Sequence, residues 1–314
     1  MHVLLSHIVR GFRLGSVLSL SLLAAGFASP AQAQVKLEHK FSDGRKTVTH
    51  TMMKVKQTLT LAGMAQETES ERFAISTDQA GKRDADGKIR IEKKTDKLSV
   101  NLKIAGMEVT FDSDDPSKKA ASPMLEPIWN MMRTAIKLKP VLVRDKSGKV
   151  VAVEGLENAA DGAPEEFRGD FEPEKIKKTA NQDFETLPSE AIKPGATWAK
   201  ESDMPLGGGQ TMTFTTDYKY IGEVQEGGKK LDKIEAKVTA VSLTIANNPM
   251  VKLTKCELKP TESTETLLFD REAGEQYSSK SKTRIQGVVD LEINGMAFPG
   301  KLDLTIEIEA VRQP

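Results

Sequence analysis

Two stretches of this chain alternate apolar and polar residues in step about a two-residue turn, and that pattern dictates antiparallel β structure. Between Lys97 and Ser113, the residues Leu98, Val100, Leu102 and Ile104 share one side of an extended strand. Ala105-Gly106 then reverses the chain, and Met107, Val109 and Phe111 continue the same side. A two-residue loop pairs Ile104 with Met107, Leu102 with Val109 and Val100 with Phe111, so every apolar side chain lands on one face. The C-terminal stretch repeats the pattern: Ile285, Val289, Leu291 and Ile293 precede Asn294-Gly295, a strong hairpin signal, and Met296, Phe298, Leu302, Leu304, Ile306 and Ile308 follow it. Asp290, Glu292, Lys301, Asp303, Thr305, Glu307 and Glu309 occupy the other side, as in a sheet wet on one face.

Further hairpins are expected at Val141 to Val153 around Asp145 to Gly148, at Met212 to Ile245 around Gly227-Gly228, and at Thr264 to Ile285 around Asp270 to Gly274. A short phrase recurs at Leu59 to Met64, Leu102 to Met107 and Leu291 to Met296. It is consistent both with duplication of a hairpin unit and with convergent turn chemistry, since glycine is expected at a tight turn in any case.

The character changes between the two strand-rich stretches. Ser122-Pro123 offers a cap and a first-turn proline, and Leu125, Ile128, Trp129, Met132 and Ile136 then fall on one helical stripe that ends before Pro140. One amphipathic helix is predicted over 123–139. From Glu157 to Pro194 the chain is acidic and punctuated by prolines, with room for a short helix from Pro173 to Thr179. The expected organisation is an N-terminal β-rich lobe over 34–155 that carries the helix, a connecting region over 156–194, and a C-terminal β-rich lobe over 195–314.

The first 33 residues read as an export signal. Arg10 and Arg13 precede an apolar run from Leu14 to Ala28, and Ala31-Gln32-Ala33 forms a small-residue cleavage site. That run falls short of the roughly 20 residues that span a bilayer. No cysteine near the cut could take a lipid anchor, so a soluble exported protein, periplasmic or extracellular, is expected. A mature chain beginning at Gln34 would carry 43 basic against 45 acidic side chains. Such neutrality removes the broad positive footprint of nucleic-acid binding. A chain of this length can bury about 75% of its unfolded surface and needs no disulfide to hold a core. Its one cysteine, Cys256, is expected to be a buried, inert thiol in a strand.

No dinucleotide, P-loop, zinc-protease, serine-hydrolase or dithiol motif occurs. Asp84-Ala85-Asp86-Gly87 begins like a calcium loop, but Ile89 stands where the sharp turn needs glycine and Thr95 where a bidentate glutamate belongs. Asp112 to Asp115 reads as a solvated turn, and no metal or cofactor is expected. Outside the leader only His39 and His50 remain, neither with a recognisable nucleophile partner.

At the start of the C-terminal lobe, the phrases Leu187-Pro188, Ile192 to Trp198, Tyr218 to Gly222, Lys233-Ile234 and Phe269-Asp270 with Gly274 form a recognisable set. The stretch 187–314 resembles a family of exported bacterial β-rich proteins known only as a domain of unknown function. The resemblance implies an exported, strand-rich protein and brings no catalytic or binding residue with it.

The expected fold is thus mainly β, with antiparallel curved sheets in two lobes, or one long split sheet, and one amphipathic helix packed on an apolar face. If the helix covers its sheet incompletely, an apolar groove remains. The leading functional expectation is a non-enzymatic envelope protein binding a lipid or acyl chain between sheet and helix, with Trp129, Met132, Leu125, Ile128 and Ile136 facing the ligand. The methionines around Trp129 are also ordinary gap-fillers, and core packing is the favoured reading of them. The alternatives are a structural or protein-interaction module of the envelope with a dry core, and, third, a hydrolase.

Overall fold

The computed structural model describes residues 34–313 apart from 105, 116, 118, 121–124, 158, 161–167, 208 and 247–250. The expected signal peptide over 1–33 and the Ser122-Pro123 helix start lie outside the described residues. Gln34–Pro314 forms one compact unit.

The strands are β1 (Lys46–Leu61), β2 (Met64–Ala80), β3 (Ile89–Ile104), β4 (Met107–Asp112), β5 (Val141–Arg144), β6 (Val150–Glu154), β7 (Thr197–Gly207), β8 (Gln210–Glu226), β9 (Lys229–Ile245), β10 (Val251–Asp270), β11 (Glu275–Ile293), β12 (Met296–Phe298) and β13 (Gly300–Gln313). They form one 13-stranded antiparallel sheet in the order β6-β5-β3-β2-β1-β13-β11-β10-β9-β8-β7, with β4 beside β3 and β12 beside β11. The two strand-rich stretches meet where β1 pairs with β13, from Val48 opposite Gln313 to Leu61 opposite Gly300.

The alternation fixes the register as expected. Ile104 faces Met107, Leu102 faces Val109 and Val100 faces Phe111, while Ile293 faces Met296 and Leu291 faces Phe298. The hairpins β5–β6, β8–β9 and β10–β11 turn at the anticipated residues. Within β10–β11 the two backbones come close at Gly287, where a Cβ would stand 1.9 Å from the carbonyl oxygen of Glu257. Only glycine lets the two backbones meet there.

The sheet curls back on itself, so its inner apolar face makes its own cover. Met212, Phe214 and Leu243 on β8 and β9, Leu258 on β10, Ile285, Val289 and Leu291 on β11, and Leu302, Leu304 and Ile306 on β13 form one buried cluster. The curl is shown by Met204 on β7 and Ile308 on β13, which line one cavity with four strands between them in the sheet. On the same face, β3 and β4 are covered by a helix, α1 (Glu126–Lys137). This helix is shorter than the predicted 123–139, and Pro127 is the proline in its first turn. Its end comes where Leu138 turns to an extended conformation, two residues ahead of Pro140.

Cys256 is half-buried rather than buried. It sits on the inner face opposite Val289, at the margin of the large cluster rather than at its centre. His50 is half-buried, its ring edge-on to Phe73 at 5.9 Å. The acidic turns are held by their own backbone. Asp84 Oδ1 accepts from the amides of Asp86 and Lys88, and Asp112 Oδ1 accepts from that of Asp114.

Candidate functional site: a cavity closed by a helix that bridges the sheet edges

The connecting region supplies a second helix, α2 (Pro173–Phe184), longer than the predicted Pro173 to Thr179. It lies against both β6 and β7, the two outermost strands of the sheet order. On the β6 side, the Asn181 amide imitates a strand partner: Oδ1 accepts from Val150 N at 2.8 Å and Nδ2 donates to Val150 O at 3.0 Å. On the β7 side, Lys178 pairs with Asp203 at 2.6 Å, and Asp203 also accepts from Thr213 at 2.7 Å. Just beyond the helix, the Trp198 indole donates to Thr186 O at 2.9 Å while stacking on Tyr218. The edges of the curled sheet are therefore joined through a helix.

Val150 is buried, so its two peptide groups depend on Asn181 for their hydrogen bonds. Replacing Asn181 with alanine should cost about 1–3 kcal/mol, the usual loss when buried groups are stranded. Urea denaturation reads that loss, and hydrogen exchange should quicken in α2 before it does in the strands. Unchanged exchange in α2 would mean that Asn181 does not hold it.

Beneath α2, on the inner face, lies a cavity of about 560 Å³. Its apolar wall includes Phe184, Phe214, Leu267, Ile306 and Ile308, and its polar wall includes Arg144, Asp183, Tyr218, Glu265, Ser281 and Thr283. A volume of this size, with mixed lining and a few convergent polar groups, is what small-ligand sites have. The N-terminal segment closes the end near the β10–β11 turn. Val35 and Ile192 exchange backbone hydrogen bonds at 2.8 Å, Leu37 is buried, and Lys40 N donates to Gly274 O at 2.9 Å.

This segment carries His39 into an aromatic cage, 5.4 Å from the ring of Phe184 and 5.6 Å from that of Phe269. Burial, and secondarily the Arg144 charge, push its pKa down to about 4, and its Nε2 has no hydrogen-bond partner. Arg144 lies 4.5 Å over the Phe41 ring and donates from Nη1 to Gly148 O at 2.7 Å. Burial raises the carboxyl pKa of Glu265; the same effect raises that of Asp183, against the opposing pull of Lys93 and Arg144. The Tyr218 hydroxyl is pushed up to about 12, by burial first and then by the nearby Glu265 charge. At neutral pH the cavity thus offers a neutral imidazole, a neutral phenol and a cationic guanidinium among carboxyls that resist ionisation.

The five residues singled out on the first helix stand elsewhere. Leu125 and Trp129 are buried, and Ile128, Met132 and Ile136 half-buried, against Leu98, Val100, Val109 and Phe111. The Trp129 ring meets Phe111 edge-on at 5.2 Å, and Arg133 covers its other side. None of the five lines the cavity beneath α2. The sequence held a usable signal for Arg144 and Glu265. Each shares its strand phase with apolar neighbours, Arg144 with Leu142 and Glu265 with Leu267, so alternation puts both charges on the inner face. Among the described residues, no group of three or more His, Cys, Asp or Glu is gathered to hold a metal ion.

No curated protein matches the chain. Among solved structures, the lipovitellin of a study of lipid–protein interactions aligns over 88% of this chain and 26% of its own, at 10% identity and a TM-score of 0.44. The chain therefore spans about a quarter of that protein. OpdQ of Pseudomonas aeruginosa aligns over 86% of this chain and 99% of its own, at 5% identity and a TM-score of 0.20. A DUF1329 family protein from Desulfovibrio piger aligns over 83% and 84%, at 8% identity and 0.13. With every one of these scores below 0.5, nothing about this chain is drawn from the likenesses. No helix among the described residues is long and apolar enough to cross a membrane. The match that bears on the chain itself begins in the N-terminal strands and reaches Ile192 to Trp198 and Tyr218 to Gly222: residues 86–227 match a family of unknown function, DUF6263.

Proposed function

We propose that this is an exported, non-enzymatic protein of the bacterial envelope that holds one amphipathic, lipid-like molecule in the cavity beneath α2. The observation that carries this reading is the division of the cavity wall. Apolar side chains on β8, β10 and β13 suit a hydrocarbon chain, while Tyr218, Glu265 and Arg144 can hydrogen-bond a polar head. The sequence supports export through its leader pattern and supplies no nucleophile, cofactor or metal motif. The ligand belongs beneath α2 and not beneath α1, where Trp129 and Phe111 fill the space between helix and sheet.

Native mass spectrometry of the mature protein from its own host, followed by solvent extraction, tests this directly. A stoichiometric adduct that extraction removes is expected, with a lower melting temperature afterwards, because a ligand bound only by the native state stabilises it. Ser281→Phe, which puts a ring into the cavity, should abolish the adduct while the variant still melts cooperatively. A clean apo mass from the host, or an adduct undiminished by Ser281→Phe, would sink the proposal.

A further inference from the structure

The two ends of the sheet are built from different turns. At one end, three of the four hairpin connections carry charge: Lys82, Arg83, Asp84, Asp86 and Lys88 between β2 and β3, Asp145, Lys146 and Lys149 between β5 and β6, and Arg271 with Glu272 between β10 and β11; the fourth, Gly227-Gly228 between β8 and β9, is flanked directly by Glu226 and Lys229. At the other end, Ala62-Gly63, Gly106, Asn294-Gly295 and, beside the end of β7, Leu206 and Gly209 bear no charge. Surface turns are ordinarily polar or charged, and turn geometry accounts for the glycines but not for this bias.

Pairing brings these uncharged turns together on one rim. Ala62 N donates to Pro299 O at 3.0 Å, beside the β11–β12 tip; Val251 pairs with Ile293, Gln210 with Ile245, and Thr68 with Ile104. The rim also gathers four of the six large apolar side chains that stand exposed among the described residues: Met64 at 73%, Met296 at 61%, Leu206 at 43% and Met107 at 40%. The three methionines each follow directly on a turn glycine, the phrase that recurs in the sequence. Just inside the rim, Leu61, Ile245, Val251 and Ile293 are only half-buried and run on into the large core cluster.

We propose that this rim docks on a zwitterionic lipid surface, with Met64, Met107, Leu206 and Met296 dipping into it. The tips project separately from different hairpins, so a rigid protein partner would need a matching recess for each. A bilayer surface accepts all of them without matched shape, and unbranched methionine adapts to such a medium. The charges behind the tips balance, as where Lys252 pairs with Glu292 at 3.1 Å, so the rim has no field that would select anionic lipid. Docking here goes beyond the cavity reading and does not depend on it.

The test uses the chain from Gln34 onward, which forms a compact unit by itself. With phosphatidylcholine vesicles the protein is expected to float at low and at high salt alike. The triple variant Met64→Gln, Met107→Gln, Met296→Gln should bind the vesicles at least about tenfold more weakly, as expected when apolar contact supplies the affinity. A separate variant, Met296→Trp, should be quenched by brominated phosphatidylcholine. Ser281→Phe should float as the unaltered chain does, which separates failure of the cavity reading from failure of this one. The proposal is overturned if the protein stays with the soluble fraction, if the triple variant floats undiminished, or if Trp at position 296 is not quenched. It is also overturned if the methionines prove to mediate self-association without any vesicle binding.

Discussion

Replacing Trp129 by alanine is expected to cost about 3–5 kcal/mol of stability, the range for deleting a fully buried large aromatic. Trp129 is 2% exposed and joins α1 to the inner face of β3 and β4 through Phe111, Leu98 and Val109. Its loss removes the anchor of a helix whose remaining contacts, Ile128, Met132 and Ile136, are half-buried. Chemical denaturation measures the deficit. The same variant should bind whatever occupies the cavity as well as the parent does, at a temperature where both are folded, since α1 contributes no residue to that cavity. A loss of ligand with stability intact would return the binding site to α1.

The second large effect is a loss of stability on acidification traceable to one histidine. His39 titrates near 4 in the folded protein, against about 6.5 in an unfolded chain. Between those values the unfolded state binds a proton that the native state refuses, so stability falls as pH drops from about 7 towards 4 and is indifferent to His39 above that window. The full loss approaches about 3 kcal/mol, and about 2 kcal/mol of it is expected between pH 7 and pH 5. Asp183 and Glu265 act in the opposite sense. Their raised pKa values mean that the native state takes up protons before the unfolded one does, which favours folding as pH falls. The His39 contribution is therefore isolated by difference. Urea unfolding at pH 7 and pH 5 should show the parent losing about 2 kcal/mol more than His39→Gln. Equal losses in the two proteins would show that His39 is protonated as readily in the fold as out of it.

The hairpins were legible because a strand with one wet face writes its geometry into alternate residues. The pairing of Val100 with Phe111 follows from that alternation and a two-residue turn alone. The α1 stripe was legible for the same reason at a different period, and Pro127 stands in the first turn of the described helix. The bridge formed by α2 was not legible. Its contacts are polar side chains, Lys178 and Asn181, that would read equally well as a solvated surface, and their partners Asp203 and Val150 lie on strands that only the curl of the sheet brings near. The cavity was missed for a related reason. Its lining comes from the N-terminal segment, α2, β5, β7 to β11 and β13, and no local pattern can announce a surface assembled from so many places.

A barrel closed by paired strands has its bore set by strand number and shear, and any change of diameter breaks a ladder of hydrogen bonds. Here β6 and β7 are held across a helix, and a second cavity of about 290 Å³ lies on the other flank of α2, between Leu142 and Pro205. What joins these two edges is a set of side-chain contacts, the Lys178–Asp203 ion pair, the Asn181 amide on Val150 and the Trp198 indole on Thr186 O, and not a ladder of backbone hydrogen bonds. The girth of this molecule at its seam is accordingly written in side chains, where single substitutions can reset it without touching a strand.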